Sequence, residues 1–145
     1  MKFKRILKTL RKGIDPAEAG LVDHPTPPHR LPDDKLRLHL FGADFDDATT
    51  AQQFCYGSGK PNAPEPLTME LEGAFIDTAH VEVIHGRITE RLLEFLNDGE
   101  ADDVLLRLGG DNTLIIITEE AFGGLPYSLD DTDTLTYLGE QIVNV

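Results

Sequence analysis

Thr113-Leu114-Ile115-Ile116-Ile117-Thr118 is the stretch on which the fold turns. A strand with one wet face alternates apolar and polar residues, but Leu114 to Ile117 show no polar alternation. They read as a central strand that needs apolar cover on both faces. Immediately upstream, Val104 to Leu108 reads as a second strand. Gly109, Gly110, Asp111 and Asn112 between the two supply the turn chemistry of an antiparallel hairpin.

Working outward, Leu36, Leu38 and Leu40 alternate with Arg37, His39 and Phe41 in the period of a strand that Gly42 stops. Asp46 or Asp47 then caps a helix over about 47–56, with Ala48, Ala51, Gln52 and Cys55 on one side. Residues 57–66 are loop by composition, and Leu67 to Leu71 fits either strand or helix. Thr78 to Ile84 reads as a strand through Val81 and Val83. Gly86 precedes a helix whose stripe is Ile88, Leu92, Phe95 and Leu96 and whose stop is Gly99. Leu135 to Leu138 offers a last strand. The expected fold class is therefore α+β, a largely antiparallel sheet with two helices packed on it, plus an N-terminal amphipathic helix.

That helix comes from residues 1–14, where Phe3, Ile6, Leu7, Leu10 and Ile14 recur on one face and lysines and arginines occupy the rest. Residues 15–34 hold five of the nine prolines and read as an extended linker. Residues 35–145 form the single folded domain. Three roles are open to the basic helix: docking on its own acidic body or a neighbouring subunit, weak peripheral contact with a membrane, and contact with nucleic acid. Its apolar face is narrow and lacks Trp, and one short helix binds membranes only marginally.

A chain of 145 residues can bury a real core without disulfides or metals. No segment approaches the roughly 18 apolar residues of a membrane span. The single cysteine, Cys55, makes no internal disulfide, and the basic N-terminus lacks a continuous apolar run of the secretory kind, so a reducing, cytoplasmic setting is expected. Charge is the strongest compositional signal, at -13 overall. Residues 1–13 carry six cations and no acid, whereas residues 35–145 carry six cations against 21 acids, a net of -15. Such a body repels nucleic acid phosphates and attracts basic surfaces.

The most enzyme-like constellation is His80-Val81-Glu82-Val83-Ile84-His85. On a strand His80 and Glu82 share one face and His85 takes the other, which breaks up a three-ligand metal site. A small metal-dependent enzyme or metal-binding protein centred on His80, Glu82 and His85 is the alternative to a binding protein. Cys55 sits on the inner side of its helix and reads as a small apolar residue. Gly109-Gly110 and Gly123-Gly124 lack the setting of a phosphate loop. Asp44, Asp46 and Asp47, and again Asp130, Asp131 and Asp133, fall short of an EF-hand loop and read as solvated turns able to contact a basic protein. No cofactor is expected.

Three stretches together resemble the bacterial immunity-protein family Imm22, associated with polymorphic toxin systems. They are Leu36 to Phe45, with its aromatic-Gly-x-x-Phe ending, Phe75 to Glu82, and Leu135 to Gly139. Where that family's first strand ends in tryptophan, this chain has Phe41. The resemblance covers about residues 35–140 and implies a non-catalytic protein that neutralises a cognate toxin by direct binding. Glu82 is its carried-over position, with Asp44, Asp46, Asp47, Asp130, Asp131 and Asp133 as acidic contacts for a basic partner. The structural reading of Glu82 is a strand carboxylate paired with Arg37 or Arg107. Because core-forming residues concentrate after residue 34, deletion of residues 1–30 is expected to leave a body that melts cooperatively. Loss of a single sigmoidal urea transition in the truncated protein would contradict the domain boundary.

Overall fold

The computed structural model describes residues 31–59 and 64–144. The expected helix over 1–14 and most of the linker over 15–34 lie outside these residues. Within them the fold is α+β, built on one sheet of four antiparallel strands: β1 (Lys35–Ala43), β2 (Val81–His85), β3 (Thr113–Thr118) and β4 (Thr136–Asn144), in the order β2-β3-β1-β4. The central place of β3 follows from its composition, since Leu114, Ile115, Ile116 and Ile117 are all buried. Ile115 and Ile117 point into one apolar layer with Phe41, Ala43 and Val81, and Leu114 and Ile116 into the other with Leu38 and Leu40.

The first layer is closed by α1 (Ala48–Tyr56) and α2 (Pro66–Glu70), with the segment after β3 folding over it through Ala121, Phe122 and Leu135. Asp47 caps α1 by accepting from Thr50 N at 2.7 Å, and Ala51, Phe54 and Cys55 are the buried face. Gln52, expected inside, is exposed. Leu67 to Leu71 resolves as the short helix α2. Tyr56 donates to Val81 O at 2.5 Å and so satisfies a carbonyl of the edge strand β2. Residues 78–80 form a single 3₁₀ turn, because the Asp77 side chain accepts from Ala79 N, and β2 starts only at Val81.

The second layer is closed by α3 (Ile88–Leu93) and α4 (Asp98–Leu108). Here two expectations fail. The helix expected to stop at Gly99 ends earlier, and Val104 to Leu108 is the end of α4 instead of a strand. The reason is a capping box: Asn97 Oδ1 accepts from Glu100 N at 2.8 Å while Glu100 Oε1 accepts from Asn97 N at 3.0 Å. From that start Ala101, Val104 and Leu108 are buried at helical spacing. Gly99 falls in the first turn, where its cost is small, and residues 109–112 join helix to strand. Among the described residues there are thus four α-helices rather than two.

β4 runs well beyond the expected Leu135–Leu138, and its register against β1 shifts between Leu40 and Phe41. Gly139 sits at this irregularity with φ +102, and Arg107 of α4 donates to Leu138 O at 2.9 Å. A Cβ at Gly139 would lie 2.9 Å from the Arg107 guanidinium. Gly139→Ala is therefore expected to cost about 1–3 kcal/mol through backbone strain and the displaced guanidinium. Gly110→Ala, where a Cβ meets nothing within 4 Å, should stay within about 0.5 kcal/mol. Chemical denaturation of the two variants side by side tests the difference.

Candidate functional site

The register brings the aspartates together. Ala43 pairs with Thr113 and Gly42 with Thr136, so the loop after β1, the turn before β3 and the loop before β4 all leave the sheet at one end. Asp44, Asp46 and Asp47 lie on the first, Asp111 on the second, and Asp130, Asp131 and Asp133 on the third. All are exposed except Asp111, which is half-buried. None forms an ion pair with Lys or Arg among the described residues, although Arg87 also leaves the sheet at this end.

The three loops are held in place. Asn112 clamps the first to the second, its Oδ1 accepting from Phe45 N at 3.0 Å and its Nδ2 donating to Phe45 O at 2.8 Å. Tyr137 N donates to Asp131 Oδ1 at 2.8 Å. Glu70 of α2 accepts from Thr132 at 2.5 Å and from Thr134 at 2.6 Å. Burial, and then the charge of Asp44, push the Asp111 carboxyl above its ordinary pKa. The hydrogen bonds from Thr50 hold Asp47 below it. The result is an acidic rim whose loops are tied to the body by hydrogen bonds.

Glu82 is not part of that rim. It lies toward the other end of the sheet on the opposite face from Val81 and Val83, and its partner is Arg91 of α3, not Arg37 or Arg107. Arg91 grips it with two bonds, Nε–Oε2 at 2.6 Å and Nη2–Oε1 at 2.8 Å, and Nη1 reaches Glu94 at 2.9 Å. The hydrogen bond from Arg91 holds the Glu82 carboxyl below its ordinary pKa. His80 lines the same groove as Glu82, with Nε2 at 4.0 Å from Asp77. His85 is on the other face, its Nδ1 2.9 Å from Thr113 Oγ1. Among the described residues no three His, Cys, Asp or Glu side chains gather as a metal site. Burial pushes the Cys55 thiol up to about 12, which suppresses its thiolate.

A constellation that the sequence analysis missed lies on the inner face of β1. His39 Nε2 is 2.8 Å from the Tyr127 hydroxyl and Nδ1 is 2.9 Å from the Tyr137 hydroxyl. Tyr127 donates to Glu119 Oε1 at 2.8 Å, and Arg37 lies between Glu119 at 3.3 Å and Glu140 at 3.2 Å. With its proton committed to Glu119, the Tyr127 oxygen can only accept from His39. That places a proton on Nε2, and Nδ1 shares the second hydrogen bond with Tyr137. Burial opposes ionisation of Glu119, but the hydrogen bonds from His39 and Tyr127 and the charge of Arg37 outweigh it and hold the carboxyl below its ordinary pKa. These residue types serve acid–base catalysis elsewhere. Here Arg37 and His39 are each only 2% exposed and both ring nitrogens are taken, so the network ties the segment after β3 to the sheet. The alternation that revealed β1 set Arg37 and His39 on the face opposite its leucines, and their burial there was not read from it. Their distant partners carried no local signal.

No family model matches the chain, and no curated protein or solved structure matches it at a significant level.

Tyr127→Phe is expected to cost about 1–3 kcal/mol near neutral pH by leaving buried partners unsatisfied. Because Glu119 has a depressed folded pKa, its share of that loss is present above its ordinary value of 4.5 and fades as the pH falls through the folded value. The gap between wild type and variant in urea denaturation should narrow from pH 7 to pH 3. A gap independent of pH would remove Glu119 from the account.

Proposed function

We propose that this chain is a non-catalytic, acidic binding protein that neutralises a cognate bacterial toxin by direct contact with a basic surface of that toxin. The observation that supports the reading is the convergence of Asp44, Asp46, Asp47, Asp111, Asp130, Asp131 and Asp133 on one end of the sheet, on loops held by Asn112 and Glu70. Gathering like charges this way raises the energy of the folded chain, and a basic partner recovers that energy on binding. Loops already fixed lose little conformational freedom in the complex. The resemblance to the Imm22 immunity proteins adds the expectation of a toxin as the partner.

Toxins that act on nucleic acids need basic surfaces, and an acidic inhibitor can occupy such a surface after electrostatically steered encounter. Steering fades as the Debye length falls from about 10 Å at 0.1 M salt to about 3 Å at 1 M. The cytoplasm is the compartment in which such neutralisation is needed. Glu82, bound by Arg91 at the other end of the sheet, is peripheral to the proposed contact.

The test is co-expression with the toxin domain encoded beside this gene, followed by association kinetics. Hosts carrying both proteins should survive where toxin alone kills. Asp44→Asn, Asp46→Asn and Asp47→Asn together keep a competent helix cap and should slow association about tenfold or more at low salt. Glu82→Ala should leave the on-rate within about twofold, as expected for a charge remote from the contact. Survival no better than the toxin-only control, with both proteins soluble, would reject the proposal.

A further inference from the structure

We draw no further inference here: the strongest candidate, the groove beside α3 floored by Leu36, Leu38, Ile116 and Val143, has as its one lining carboxylate Glu82, already paired with Arg91, and nothing in the structure shows what covers it.

Discussion

A strand that is apolar on both sides cannot be stable with either side in water, and β3 imposes that condition on everything around it. Ile115 and Ile117 demand one cover, Leu114 and Ile116 another, and the chain supplies each by different means. One cover is the pair α3 and α4, whose stripes bury against the sheet. The other includes irregular backbone, whose polar groups need partners wherever they are buried. The His39, Tyr127, Tyr137, Glu119 and Arg37 network is what such a cover requires. It replaces the ladder of a regular element with side-chain hydrogen bonds reaching from β1 to residues about eighty to a hundred positions away.

How much of this could be read from the sequence follows from the range of each signal. β1, β3 and α1 were legible because alternation, an unbroken apolar run and an aspartate cap are all local. The error at 97–108 has an equally local origin. Gly99 looked like a stop, and Val104-Leu105-Leu106-Arg107-Leu108 looks like a strand when the Asn97–Glu100 capping box before it goes unnoticed. The second half of β4 was missed because Gly139 interrupts it, and only tertiary contact with Arg107 explains why a strand continues through that residue.

The site was legible in its parts and not in its assembly. The aspartate triplets stand out in the sequence, but that they share one end of the sheet depends on β1 lying between β3 and β4, a pairing no local pattern announces. Asp111, which joins them, passed as a turn residue. Glu82 shows the reverse case: its residue type and position drew attention, and the structure gives it a bidentate partner nine residues along on α3. Arg37 and His39 stood on the face of an alternating strand opposite its leucines, a pattern that does not announce their burial. What satisfies them lies beyond residue 118.

The place of β1 in the sheet also sets an order of events during synthesis. It is made early, yet both of its neighbours come from the last third of the chain, and β4 is the final element before residue 145. Pairings this distant in sequence form slowly, since chain entropy must be lost before the contacts reward it. On the ribosome β1 must wait, at about 5–20 residues per second, for β3 and then β4 to emerge. The two outer flanks of the acidic rim, one following β1 and one preceding β4, meet only once β4 has emerged. A chain halted before β4 emerges therefore carries most of these aspartates without the sheet that gathers them.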